Sequence, residues 1–315
     1  MERRGLNVRK YLLKSIFPLL RALPPRVAST FVANIGRTEY TLLKGVRIRV
    51  DQAVQHGSHH FGRTWDINQV GRELAGNQIR WRTRDQLLDG LPDDRVAPLF
   101  RVTGREHIDS ILAEKRGLVL LCNHFGSHMM PAHWLLRNAY PLRLFMERPR
   151  HISRFLASQF DTDGPTGQKK LFISRKASPA EAAGSIMRAA QVLRAGMILM
   201  IAGDVRWPGP QTSPATFLGR QYTFSNTWVK LAGMTGAPIV PVFCRIESDG
   251  HYALEFQESF SIPRGTPDAD QLAFWVQSYL RTIEAQVEAY PENSNDYFFW
   301  TEGLESTTSV GTAAT

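Results

Sequence analysis

His124 stands at the end of an apolar run, Leu118-Val119-Leu120-Leu121-Cys122, and Gly126 and Ser127 break the chain just after it. An imidazole titrates near neutrality, so it can take a proton from a hydroxyl and give it back within one catalytic cycle. At the carboxyl end of a buried strand it would face the crevice where α/β sheets bind ligands. The structural alternative is a loop histidine holding a fixed hydrogen bond. His128, four residues on, is a second candidate base or substrate-binding group. Asp204 follows another apolar run, Met197 to Ala202, and a carboxylate there can orient a catalytic imidazole or cap a helix. Arg175 closes Lys170-Leu171-Phe172-Ile173-Ser174 with a guanidinium, which pairs bidentately with phosphate or makes a surface ion pair. Arg148 and Arg220 are weaker candidates for the same anionic ligand. Cys122 lies close enough to His124 to suggest an acyl nucleophile, but a thiol inside an apolar strand reads first as packing. Met129, Met130, Trp134, Leu135 and Leu136 could line a groove for an apolar chain or belong to the ordinary core. The histidine-rich stretch Gln55 to His60 has no carboxylate or cysteine at metal-ligand spacing and reads as a loop.

These residues need elements to hold them, and from about residue 100 the sequence alternates strand and helix signals. Thr103-Gly104-Arg105-Glu106 has the form of a capping box for a helix reaching Glu114. The His124 strand follows, then a helix near 129–138, a strand at Leu142–Met146, a helix from His151 to Phe160, and the short strand before Arg175. Ser178-Pro179-Ala180-Glu181 is a second capping box, opening a helix to Arg194 that Gly196 closes. Beyond the Asp204 strand, Ser225 can cap a helix ending at Gly236, Ala237–Phe243 and Tyr252–Phe256 read as strands, and Thr266-Pro267 opens a last helix to Tyr290. Before residue 100 the signals are weaker, and Val46–Val50 alternates like a strand without excluding a helix. The expected fold is therefore α/β, a central mostly parallel sheet flanked by helices, with candidate polar groups at strand ends.

Composition narrows the partners. The 315 residues are 43% hydrophobic and 21% charged, enough for one large α/β domain with a small appendage, and carry a net charge of +9. That charge suits an anionic partner: nucleic acid, an acidic substrate or an anionic membrane surface. Residues 1–35 mix Arg3, Arg4, Arg9, Lys10 and Lys14 with Leu12, Leu13, Ile16 and Phe17. This is a basic amphipathic segment suited to a membrane interface, or to packing on the protein body. Its apolar run falls short of the roughly 18 residues of a transmembrane helix, and it lacks a signal-peptide cleavage pattern. The domain follows over 36–302, and the Ser/Thr/Ala-rich tail 303–315 reads as disordered. The two cysteines show no metal or redox spacing and no disulfide is expected. No Walker A or strand-linked GxGxxG pattern is present, and no nucleic-acid motif accompanies the charge.

Several segments in order resemble the bacterial lipid A biosynthesis acyltransferases, a branch of the glycerophospholipid and lysophospholipid acyltransferase superfamily. They are Val102–His107, Arg116–Leu121 with His124-Phe125-Gly126, Glu147-Arg148-Pro149-Arg150, Phe172–Arg175, Gly203-Asp204, Phe217–Arg220, Ser225–Thr227 and Thr235–Pro241. Tyr290-Pro291-Glu292 and Phe298-Phe299-Trp300 resemble the C-terminal signature. The resemblance runs from about residue 10 to 302 and implies a glycerolipid-acyltransferase-like fold. It implies transfer of a fatty acyl group from a thioester of acyl carrier protein or coenzyme A to a hydroxyl of a membrane glycolipid, such as a lipid A precursor. It also implies a peripheral enzyme on the cytoplasmic face of the inner membrane, with no metal or redox cofactor and no nucleic-acid partner. The family motif places an Asp or Glu five residues after the histidine, and this chain has Met129 there. Methionine can neither hold a proton nor orient an imidazole as a carboxylate does. Three routes stay open: Asp204 replaces that group, a backbone carbonyl orients the ring, or the chain binds acyl chains or membrane lipid without catalysis.

Overall fold

The apolar runs lie side by side. In the computed structural model, which describes residues 19–88, 90–147, 155–156, 171–173, 178–206, 211–294 and 297–303, seven strands form one sheet. Its order is β1 (Phe100–Thr103), β9 (Tyr252–Phe256), β8 (Ile239–Ile246), β2 (Leu118–Cys122), β5 (Ile198–Ala202), β3 (Leu142–Glu147) and β4 (Leu171–Ile173). The run from β8 to β4 is parallel, while β9 and β1 run against it. The fold is α/β, as expected.

Both faces of the sheet are covered, which explains why its central strands show no polar alternation. On one face Val119, Leu121, Leu199 and Ile201 pack with Leu193 of α7 (Pro179–Arg194), Trp228 of α8 (Thr227–Thr235) and Leu280 of α9 (Ala269–Ala289). On the other, Leu118, Leu120, Cys122, Met200 and Val240 pack with Ile108 of α5 (Glu106–Ala113) and Leu135 of α6 (Met130–Arg137). The box opening α7 forms both of its hydrogen bonds: Glu181 N–H to Ser178 Oγ, and Ser178 N–H to Glu181 Oε2.

The first hundred residues are more helical than the sequence suggests. α1 (Pro25–Leu42), α2 (Lys44–His60) and α3 (Ile67–Leu88) precede the one-turn α4 (Asp93–Val96). Val46–Val50 is thus helix, not strand, and the histidines near residue 60 end that helix and form no loop. Alternation misled because Val46, Ile48 and Val50 straddle a helix with one buried edge: Val50, Ala53, Val54 and Gly57 face the core while Ile48 stays exposed. α1 lies against α3 at Gly36, where a Cβ would come 2.2 Å from the Ala75 carbonyl oxygen. Buried Arg80 of α3 donates to the carbonyls of Ser29, Glu247 and Ser248. These bonds fix α3 between α1 and the β8–β9 turn.

Other boundaries also moved. Thr103 ends β1 and Gly104 turns with φ +71, so α5 starts after Arg105 without a side-chain cap. The capping-box pattern there is overruled by strand pairing. Asn226, not Ser225, precedes α8, and Asp268 caps α9 in a box with Gln271. A hairpin, β6 (Thr212–Phe217) and β7 (Arg220–Ser225), was not read from the sequence. Its turn places Leu218 and Gly219 at positive φ, and α9 holds it through Gln277 and Glu284.

Candidate active site

β2 and β5 pair in parallel, from Leu118 opposite Ile198 to Cys122 opposite Ala202. Carried two residues further, that register brings His124 beside Asp204. Gly203 allows it: a Cβ there would lie 2.5 Å from the Tyr279 ring. The His124 backbone N–H donates to Asp204 Oδ2 at 2.8 Å, and His124 Nδ1 lies 3.0 and 3.1 Å from the two carboxylate oxygens. The Tyr297 hydroxyl donates to Oδ2 at 2.7 Å. The Asp204 side chain is fully buried, whereas the His124 side chain is 37% exposed.

Burial pushes the Asp204 carboxyl up, but the charge of His124 and the hydrogen bonds from His124 and Tyr297 outweigh it and hold the group below its ordinary value. An ionised carboxylate can only accept, so the imidazole proton sits on Nδ1 and Nε2 is the basic nitrogen. Burial, reinforced by Asp204, drives the Tyr297 phenol far above its usual range, so it stays a donor. Such a pair can remove a proton at Nε2 and stabilise the imidazolium that forms.

The turn carrying His124 is tightly held. Asn123 accepts from the Phe125 N–H at 3.0 Å and donates to Tyr279 Oη at 3.0 Å. Gly126 sits at φ +57, where a Cβ would be 2.0 Å from the Cys244 carbonyl oxygen, so only glycine fits. Gly126 N–H donates to the Asn293 carbonyl, and Ser127 N–H to the Cys244 carbonyl.

The remaining candidates separate. The His128 ring lies 4.9 Å from that of His124, centroid to centroid, and its Nδ1 accepts from the Trp81 indole at 3.3 Å. Burial first, then His124 and Arg84, hold the His128 pKa well below the ordinary histidine value. A ring that resists protonation, with Nδ1 already engaged, is poorly suited to be the base. Met129 is buried among Cys122, Met130 and Met200, away from polar partners. Met130, Trp134 and Leu135 belong to that same core, with Leu136 packed at its edge. Burial drives the Cys122 thiol far above its usual range, and Asp204 adds to it, which disfavours the thiolate a nucleophile needs. Both cysteines are unpaired.

Arg220 is not beside the pair. It sits at the turn of the β6–β7 hairpin near His56, whereas Ser225 at the other end bonds to Val205. Five residues of strand, about 17 Å, separate those ends. Arg148 and Arg175 lie outside the described residues. Sequence reading missed three residues of this neighbourhood: Tyr297, Trp81 and Arg206. Arg206, two residues after Asp204, stacks on Trp300 at 4.2 Å and on Tyr222 at 5.4 Å. The signal for Arg206 was its place just past Gly203-Asp204. Tyr297 and Trp81 gave no local signal, since each reaches the site from a distant segment.

Residues 7–300 match the description "Bacterial lipid A biosynthesis acyltransferase". The chain belongs to this family. It is also 27% identical over 207 residues to the lipid A biosynthesis lauroyltransferase of Escherichia coli (strain K12), an alignment covering 64% of this chain. The chain spans 61% of that relative's length. Within this lipid A acyltransferase family member, the histidine of the first block is the one that meets Asp204.

Proposed function

We propose that the protein transfers a fatty acyl group from a thioester of acyl carrier protein or coenzyme A to a hydroxyl of a membrane glycolipid, such as a lipid A precursor. The observation carrying this reading is the His124–Asp204 pair at the carboxyl edge of the sheet. A carboxylate from a second strand takes up the imidazole that Met129 cannot reach chemically, which favours catalysis over passive lipid binding. Family membership supports the acyl chemistry and the glycolipid acceptor.

In this mechanism His124 Nε2 removes the acceptor hydroxyl proton while the oxygen attacks the thioester carbonyl. Asp204 holds the Nδ1 proton and stabilises the imidazolium, and Tyr297 fixes Asp204. The tetrahedral intermediate collapses with C–S cleavage, and the thiolate leaves with the proton from His124. A thiolate is a good leaving group, so direct attack by the activated hydroxyl suffices without a covalent acyl-enzyme or a metal or redox cofactor. Arg206 is taken as a further group for an anionic part of either substrate, and Arg148, Arg175 and His128 remain the substrate-binding residues proposed from the sequence, whereas Arg220, proposed with them, sits at the far end of the β6–β7 hairpin.

The protein works on a membrane surface, the cytoplasmic face of the bacterial inner membrane. Support comes from Val27 and Phe31, one turn apart on α1 and 51% and 45% exposed, and from Leu19, Leu42 and Leu43, exposed before and after them. Arg21, Arg26 and Lys44 flank these side chains, matching an anionic lipid surface. No helix among the described residues is long and apolar enough to cross a membrane.

The test incubates the full chain with dodecanoyl thioesters of acyl carrier protein and of coenzyme A and a bacterial lipid extract, with lipid products read by mass spectrometry. The expected result is a glycolipid gaining one dodecanoyl ester, dependent on the protein. Thioester hydrolysis without lipid acylation, or no turnover with either donor, would refute the proposal.

A further inference from the structure

An acyl transfer at His124 develops negative charge on the thioester carbonyl oxygen, and something must donate to it. Much of the usual source, the backbone of the turn beside the base, is already engaged here. His124 N–H goes to Asp204, Phe125 N–H to Asn123 Oδ1, Gly126 N–H to the Asn293 carbonyl and Ser127 N–H to the Cys244 carbonyl. Four consecutive amides of that turn thus face inward and meet protein acceptors.

The His128 side chain offers a donor beside the base. The indole of Trp81 can only donate, so its 3.3 Å bond to His128 Nδ1 makes that nitrogen the acceptor and leaves the ring proton on Nε2. Among the described residues, Nε2 has no hydrogen-bond partner. The ring is packed against His124 at 4.9 Å, with an interplanar angle of 50°, and is only partly buried. Trp81 is itself fixed on α3, which Arg80 ties to the β8–β9 turn. The donor is therefore held in place before substrate arrives.

We propose that His128 is a second catalytic residue, a neutral imidazole whose Nε2–H donates to the thioester carbonyl oxygen as it becomes an oxyanion. This deepens the acyltransferase reading and rests on it. As the acceptor oxygen bonds to the carbonyl carbon, its proton passes to His124 Nε2 and the C=O electron pair moves onto oxygen, toward His128. When C=O reforms, the C–S bond breaks and the thiolate takes the proton back from His124. His128 keeps its own proton throughout. Burial, His124 and Arg84 all disfavour the imidazolium, which keeps His128 neutral at physiological pH. Trp81 is the positioning residue that selects the tautomer.

The test uses dodecanoyl-coenzyme A with the full chain, in two readouts. In steady-state transfer, His128→Phe keeps a flat ring and loses the donor. It should lower kcat on the order of 10²- to 10³-fold with KM for the donor nearly unchanged, and His128→Gln, which retains an N–H, should recover part of that loss. In the second readout, carbonyl-¹³C dodecanoyl-coenzyme A is bound to His124→Asn, which lacks the base and is expected to hold the thioester without turning it over. Its infrared carbonyl stretch should fall below the solution value, and the double variant His124→Asn/His128→Phe should return it toward solution. Trp81→Phe should weaken the shift, since the tautomer is no longer fixed. An unshifted stretch in His124→Asn, or the same shift with and without His128, overturns the oxyanion role. A wild type that turns over neither dodecanoyl-coenzyme A nor the dodecanoyl thioester of acyl carrier protein overturns the acyltransferase reading as well. A wild type that turns over either, with His128→Phe at full kcat, overturns this proposal alone.

Discussion

Asp204→Asn is the sharpest perturbation because it keeps the shape and changes only what the carboxylate can do. In the native protein one oxygen accepts from the His124 backbone N–H at 2.8 Å and from Tyr297 at 2.7 Å, and both oxygens face Nδ1–H at 3.0 and 3.1 Å. An asparagine has one acceptor and one NH2 donor. The His124 backbone N–H can only donate, so it claims the amide oxygen, which leaves NH2 facing Nδ1. Nδ1 then becomes the acceptor, and the imidazole proton moves to Nε2, the nitrogen that must be free to act as base. A wrong tautomer of this kind costs on the order of 10⁴ in kcat in hydrolases using a His–Asp pair. At 1.36 kcal/mol per decade that is about 5.4 kcal/mol of transition-state stabilisation. The assay is acyl-transfer kcat with ¹⁵N-histidine spectra of the same sample, which report the tautomer of residue 124 directly. The fold should survive, because the amide oxygen in the place of Oδ2 still accepts from both the His124 backbone N–H and the Tyr297 hydroxyl. A kcat within tenfold of wild type, or loss of activity with the Nδ1–H tautomer intact, would refute the reasoning.

Restoring an acid where the family has one should not help: Met129→Glu places a carboxylate in an apolar cluster without a partner. Chemical denaturation should show a loss of about 2–4 kcal/mol with no gain in transfer rate. Acid should weaken the protein partly through Asp204. Its folded pKa lies below the ordinary 3.8, so its contribution is complete above that value and is lost as pH falls through the depressed one. Below pH 4, melting temperature should therefore drop more steeply in wild type than in Asp204→Asn, and equal slopes would contradict it. Val27→Asp with Phe31→Asp should reduce co-sedimentation with phosphatidylglycerol vesicles severalfold at unchanged melting temperature, since both side chains are exposed.

The sheet was legible because its central strands are continuous apolar runs ended by Asn123, Gly203 and Gly236, each marking where a strand or helix must stop. The two halves of the pair were legible separately, as a histidine and an aspartate at strand ends. Their meeting was not, because it depends on the parallel register of β2 and β5, which a single chain does not display. The same limit hid Tyr297 and Trp81, which reach the site from about 90 and 50 residues away in sequence. The N-terminal helices are only weakly legible because helical periodicity is weak when only a narrow stripe is buried. In α2 that stripe is Val50, Ala53, Val54 and Gly57, and α1 and α3 close against each other through small residues, Gly36 and Ala75. The β6–β7 hairpin escaped because Pro214 sits within β6 and a non-glycine, Leu218, takes a positive φ in its turn.

The central claim is that His124 is the base of an acyl transfer that needs no covalent intermediate. It is tested most directly by a single turnover of dodecanoyl-coenzyme A with lipid acceptor on wild type and His124→Gln, quenching the reaction and weighing both protein and lipid. Wild type should yield acylated lipid with no mass added to the protein, and His124→Gln should yield neither product within the same time. Acylated lipid formed at equal rate by His124→Gln, or a dodecanoyl adduct on Cys122, would contradict the account.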